Sequence, residues 1–335
     1  MRNRYKRDLN RLVEHPRRTP VARALRNPGA LNGTFSAASG LPREPIPPSC
    51  IRALPANCWA ISAGDDVHVA INPSGGVAAW GYNNRGQADG PIGGTFIQVS
   101  AGREHAMALT AAGAIVGWGR DWESQYAFPA TNDYVEIAAG DIHSIARRSD
   151  GSIYSVGWDE QDQVLGTPVV SDAVQVSAGA EHSCYLKADG TVVCWGGNRF
   201  GESDVPSGLT DVKQIACGYF FTLALKCDGT VVGWGNGSGT GAEEPPPGLI
   251  DVIAIAAGDS VSIAVKSDGT VETWGSNPFT DVSAPAGITD AIACAAGKQS
   301  GMVIHADGSL TNWGGDYWAS VTAGSPSLVK VFEPV

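Results

Sequence analysis

Charge is scarce in this chain of 335 residues. Asp, Glu, Lys and Arg make up 17% of it, too little for an intrinsically disordered polymer held open by its own repulsion. Long apolar runs are missing as well: none reaches the ~18 residues that a membrane-spanning helix needs. The first residues, MRNRYKRDLNRLVEHPRR, contain no apolar core of a secretory signal, so the chain is expected to be cytoplasmic on synthesis. No Cys-x-x-Cys pair occurs among the seven cysteines at 50, 58, 184, 194, 217, 227 and 294, and an odd count argues against a disulfide framework. Cys184 and Cys194 can face each other across a hairpin, but free buried thiols are the simpler reading. There is no His-Glu-x-x-His, no phosphate-binding loop and no grouping of Ser, His and Asp. The glycine-rich GNGSGTG at 235–241 follows a strand with no helix after it, which fails the test for a dinucleotide site. No catalytic residue, metal or cofactor is expected.

What is abundant is glycine, 43 residues of it, and it recurs in phase. An Ala-Gly or Cys-Gly step falls at Gly64, Gly102, Gly140, Gly179, Gly218, Gly258 and Gly297. A second series, mostly Trp-Gly, falls at Gly81, Gly119, Gly157, Gly196, Gly235, Gly275 and Gly314. Both series are spaced by 38 to 40 residues, the mark of a repeat architecture with seven units. In the fourth unit Val174, Val176 and Ala178 alternate with Gln175 and Ser177, the period of a half-buried strand. Gly179 permits a bend, Ser183 to Lys187 form the next strand, Asp189-Gly190 is a hairpin turn, and Thr191 to Trp195 return. A polar loop of variable sequence follows. Each unit is expected to supply about four short strands and one loop. Such units arranged radially make an all-β, seven-bladed β-propeller. The tail SLVKVFEPV (327–335) and the segment NCWAISA (57–63) fall in the same phase of the repeat, and one of them is expected to close the ring by pairing across the termini.

The repeat resembles the RCC1-like repeat family. AGREHAMAL (101–109), AGAEHSCYL (178–186), DGTVVCWGGNRFGE (189–202) and WGYNNRGQ (80–87) carry the likeness, which runs over residues 57–335. The resemblance implies a seven-bladed propeller. The short loops, as in DVPSGLTDV (204–212), look closest to a compact bacterial branch that includes a proteinaceous β-lactamase inhibitor. The third unit departs from the pattern with Val156 in the tryptophan position and Trp158 displaced beyond it. The fifth to seventh units have Phe221, Val261 and Ser300 where a histidine is expected.

His105, His143 and His182, with His68 nearby, invite a metal. Equivalent atoms on neighbouring blades are too far apart for two bonds of ~2.1 Å to span, so a packing role is expected. Trp80, Trp118, Val156, Trp195, Trp234, Trp274 and Trp313 read as wedges between blades. Trp122, Tyr126, Phe128, Trp158, Phe200, Phe279, Tyr317 and Trp318 lie in the variable loops, which should emerge on one side of the ring. They read either as a protein-binding face or as local covers for blade edges.

Residues 1–50 do not repeat. They carry a net charge of +7 against −18 for residues 51–335, with Arg2, Arg4, Lys6, Arg7, Arg11, Arg17, Arg18, Arg23 and Arg26 as the basic series. Short helices fit Tyr5 to His15 and residues 20–27, and LPREPIPPSC (41–50) reads as an extended linker. Helices this short do not hold alone, so this extended N-terminal arm is expected to order on a partner. The division is an anchoring arm, 1–50, and a propeller, 51–335. The function expected is non-enzymatic: a protein-interaction disc acting as a subunit of a larger assembly, such as a bacteriophage virion as capsid decoration or tail protein. The alternatives are a soluble bacterial inhibitor or regulator binding an enzyme through the loop face, and a cell-surface carbohydrate-binding propeller. The resemblance also implies nucleotide exchange on a small GTPase, but the loops are short for it. An acidic disc argues against nucleic acid as its partner.

Overall fold

A computed structural model describes residues 60–314 apart from 66, 92, 237–238 and 277–281. The arm, its boundary at residue 50 and the 327–335 tail lie outside the described residues. Twenty-one strands form seven antiparallel sheets of three, each built from consecutive strands. The blades span 61–81, 96–119, 134–157, 173–196, 212–235, 252–275 and 291–314. No helix occurs among the described residues, hence none long and apolar enough to cross a membrane.

Three strands per blade, rather than four, is a correction with a clear cause. In blades 2 to 5 the first residue of the loop after the second recurring glycine is tied to the first glycine turn of its own blade, as in Arg120 N–H to Glu104 O and Asn236 N–H to Phe220 O. The next inner strand begins at the hairpin turn on the opposite face, as in Phe96 N–H to Gly75 O and Val212 N–H to Gly190 O. The loop therefore emerges on one face, runs along the blade's outer edge and ends on the other, covering the edge where a fourth strand would lie.

The middle strands are buried on both sides; His105–Thr110 exposes only its last residue in part. Apolar residues gather in seven clusters, one in each seam between neighbouring blades. The seam between blades 7 and 1 is no exception. Ala60, Ile61, Ala70 and Trp80 pack there against Ala293, Ala295, Met302 and Ile304. All three strands of blade 1 come from 61–81 and all three of blade 7 from 291–314. Among the described residues the ring thus closes by packing side chains, with no strand exchanged between its ends.

The inner strands do not follow simple alternation. In blades 2 to 7 a register shift near the strand start inserts one extra residue and re-aims the side chains that follow. Gln175, read as solvent-facing, is turned into the seam: its Nε2 donates to Ile215 O and its Oε1 accepts from Ile215 N–H, both at 2.8 Å. Gln98 clamps Ile137 and Gln214 clamps Ile255 in the same way.

Cys184 and Cys194 correct the reading of free thiols, since they form a disulfide. They sit directly opposite each other. Counting from the bonded pair Lys187 and Thr191, theirs is a non-hydrogen-bonded pair, and a Cα–Cα distance of 4.0 Å belongs to that close spacing. Cys227 is disulfide-bonded too. Cys217 and Cys294 are buried and form no disulfide.

Candidate functional site

The seven turns, six Ala-Gly and one Cys-Gly, surround one mouth of an axial cavity of about 80 Å³. Here glycine is required by close approach. A Cβ on Gly64 would overlap the carbonyl oxygen of Gly102, one on Gly102 that of Gly140, and so on through Gly179, Gly218, Gly258 and Gly297, whose Cβ would meet Gly64 O. None of the seven has positive φ.

Each glycine is followed by a residue that the repeat leaves free to vary: Asp65, Arg103, Asp141, Ala180, Tyr219, Asp259 and Lys298. All but Arg103 line the axial mouth. Asp65 is buried, with Lys298 Nζ at 3.5 Å and Arg103 Nε at 3.7 Å. Burial raises its carboxyl, against the pull of these two cations. Asp141 stands well above the ordinary carboxylate range, through burial and then the nearby Asp65. Asp259 is raised to about 6 for the same two reasons. The Tyr219 phenol is pushed up to about 12, mainly by burial.

Aromatic side chains lead outward from this mouth. The rings of Tyr219 and Phe220 lie 4.3 Å apart, and those of Phe220 and Phe200 4.7 Å apart. The Arg199 guanidinium lies 5.2 Å from the Phe200 ring centre. A second patch stands beside blade 2. Trp122 is 68% exposed, with the guanidinium groups of Arg85 and Arg120 each 4.7 Å from its ring. Arg120 is held by Glu104 at 2.9 Å and Glu123 at 2.7 Å.

The other loop aromatics are placed differently. Tyr126 lies against Gly117, where a Cβ would strike its ring, and its hydroxyl donates to Gly119 O. Phe128 sets its edge against Tyr134, 5.6 Å between centres. Trp158 is half-buried. Phe279, Tyr317, Trp318 and the basic series of the arm lie outside the described residues. Tyr219, Phe220 and the axial charges do not stand out in the sequence, because they follow the first recurring glycine and lie outside the variable loops. The available signal was the variable position just after each recurring glycine.

The histidines are engaged across seams. His105 Nε2 meets Ser144 Oγ at 2.8 Å, His143 meets Ser183 at 2.8 Å, and His182 meets Thr222 at 2.9 Å. Burial depresses all of them, to about 3 for His105 and His182 and about 4 for His143 and His68. The wedge tryptophans are tied as well. The indoles of Trp118, Trp195, Trp234, Trp274 and Trp313 each donate to a carbonyl in the loop of the preceding blade.

A family model for the Regulator of chromosome condensation (RCC1) repeat matches residues 96–122, 173–202 and 212–239. The chain carries RCC1 repeats. Solved structures agree on the fold of this RCC1-repeat propeller. The ectodomain of the receptor kinase CR4 from Physcomitrella patens is 20% identical over 77% of this chain and 73% of its own, with a TM-score of 0.63. The CRINKLY ectodomain of the Arabidopsis thaliana receptor kinase ACR4 is 22% identical over 77% of this chain and 96% of its own, at 0.62. Prp20p from Saccharomyces cerevisiae is 18% identical over 82% of this chain and 86% of its own, at 0.61. Among curated proteins none matches the sequence. At these identities the likeness is one of fold.

Proposed function

We propose that this RCC1-repeat propeller is a non-catalytic, protein-binding disc that uses the face bearing the Ala-Gly turns. The observation that carries this is the run Phe200, Phe220, Tyr219 leading into the charged axial mouth. Aromatic anchors beside fixed charges suit protein recognition better than small-molecule chemistry. The similar Prp20p is described with binding to Gsp1p and histones, and yeast RCC1 (Prp20) with Kap60 bound to it, which supports a protein partner. The finer reading is a subunit of a larger assembly, such as a bacteriophage particle. In that reading the chain is made in the cytoplasm and anchored by the arm of net charge +7.

Affinity capture from the source organism, with quantitative mass spectrometry, tests both levels. Phe200→Ala with Phe220→Ala should weaken capture of the partner about tenfold or more, and Trp122→Ala should weaken it separately. Unchanged capture by all of these variants rejects the turn face. Deleting residues 1–50 should abolish incorporation if the chain is an assembly subunit; a soluble inhibitor would keep its affinity.

A further inference from the structure

We propose that the seam between blades 4 and 5 contains a buried binding site for a thiophilic divalent cation such as Zn²⁺, formed by His182, Cys184, Cys194 and Cys217 once the Cys184–Cys194 bridge is reduced. Donor atoms of His182, Cys184 and Cys217 already lie within 4.8 Å of one another, and all three residues are buried. Cys194 Sγ is bonded to Cys184 Sγ, so reduction leaves a fourth donor beside Cys184, which the freed side chain can turn toward the other two. A zinc ion with bonds of about 2.3 Å to sulfur and about 2.1 Å to nitrogen can gather donors spread over that span with small side-chain movements. Three thiolates and one imidazole form a closed tetrahedral set.

Comparison between blades singles out this seam. The position of Cys184 is Val69, Met107, Ile145, Leu223, Ile263 and Met302 in the other blades. That of Cys194 is Ala79, Gly117, Ser155, Gly233, Thr273 and Asn312. That of Cys217 is alanine in all six others: Ala63, Ala101, Ala139, Ala178, Ala257 and Ala296. Three departures from the repeat therefore converge on one place, beside a histidine. Cys217 also borders the axial cavity, which gives an ion a way in. Thr222, now the partner of His182, keeps a second acceptor in Glu202 O at 3.2 Å, so releasing the imidazole does not strand its hydroxyl.

The chemistry balances with a dithiol as reductant. It transfers two electrons and two protons to the Cys184–Cys194 bond, leaving two thiols, and itself becomes a disulfide. The cation then displaces one proton from each of Cys184, Cys194 and Cys217 and takes a lone pair from His182, with no further electron transfer.

The test uses the full chain, reduced with a dithiol, freed of reductant under anaerobic conditions and titrated with Co²⁺. A thiolate-to-cobalt charge-transfer band should grow to saturation at one ion per chain and be bleached by Zn²⁺. The unreduced chain should show no band. Cys217→Ala restores the alanine of the other six blades, so it should keep the fold by circular dichroism while weakening binding about 100-fold or more, since loss even of a group supporting a ligand costs about 10- to 100-fold. Cys294→Ala removes a buried thiol of another seam and should bind as the parent does. Absence of the band after reduction, equal binding without reduction, or unchanged binding by Cys217→Ala overturns the proposal.

Discussion

His68 shows how a single residue can break the repeat and preserve its chemistry. In blades 2 to 4 the histidine begins the middle strand and its hydroxyl partner sits one position later in the next blade. Between blades 7 and 1 the order is reversed: Ser300 takes the first position, His68 the second, and they meet at 2.8 Å. Such a bond matters because both partners are buried, and an unpaired polar group there is costly. Ser144→Ala should therefore lower unfolding free energy by about 1–3 kcal/mol in denaturant titrations, through the partner it strands on His105. The axial carboxylates give a pH prediction. Asp259 has a folded pKa of about 6 against an ordinary 3.8. Above pH 6 the folded state holds a charge it disfavours, and as pH falls toward 3.8 it takes up the proton before the unfolded chain does. Asp259→Asn should thus raise stability above pH 6 by up to about 3 kcal/mol, at about 1.4 kcal/mol per pH unit, with the gain fading to nothing near pH 3.8. A gain that persists at pH 3.8 would point to packing instead. The buried histidines run the other way, costing stability as pH falls from 6.5 toward 3 to 4, because the unfolded chain protonates them before the folded one does.

The blade as an element was partly legible. Hairpin glycines announced themselves: Gly113, Gly151, Gly190, Gly229, Gly269 and Gly308 all have φ near +80°, and they follow the middle strand as expected. The glycines of the Ala-Gly steps also recurred in phase, yet the reason for them lay elsewhere. Bending does not require Gly179; the neighbouring blade's carbonyl does. Gly179→Ala should accordingly cost at least about 3 kcal/mol, by overpacking against backbone that cannot yield. Gly208 has φ +78° and nothing within 4 Å of the point where a Cβ would stand. As alanine it should cost only about 1–2 kcal/mol, the left-handed backbone penalty. Thermal and denaturant unfolding of the pair separates the two causes. The Gln98, Gln175 and Gln214 clamps were hidden because a bulge shifts the face on which a residue emerges, and a bulge leaves no mark in a polar/apolar pattern. The missing fourth strand was hidden for a related reason: a loop that covers an edge and a strand that extends it can have the same length.

At the scale of the whole molecule, closure depends on the seam between blades 7 and 1. Met302 is fully buried there, so Met302→Ala should cost about 2–5 kcal/mol. Amide hydrogen exchange should rise first in blades 1 and 7; a uniform rise around the ring would mean that closure has no special weakness. Seven units, their phase and the radial fold were all written in the glycine and tryptophan series, because a periodic covalent chain with one packing solution per period leaves little else to choose. The disulfide pairing was readable only as a possibility, since position across a hairpin brings Cys184 and Cys194 opposite without saying whether they bond. The functional face was the least legible part. Phe200 was visible from its loop, but Tyr219, Phe220, Asp65 and Lys298 become neighbours of one mouth only when blades far apart in sequence are brought round an axis. Order along the chain suffices for contacts between adjacent strands. Contacts between the first and last blades join residues as far apart as Asp65 and Lys298, which meet at 3.5 Å, and those exist only once the ring has closed.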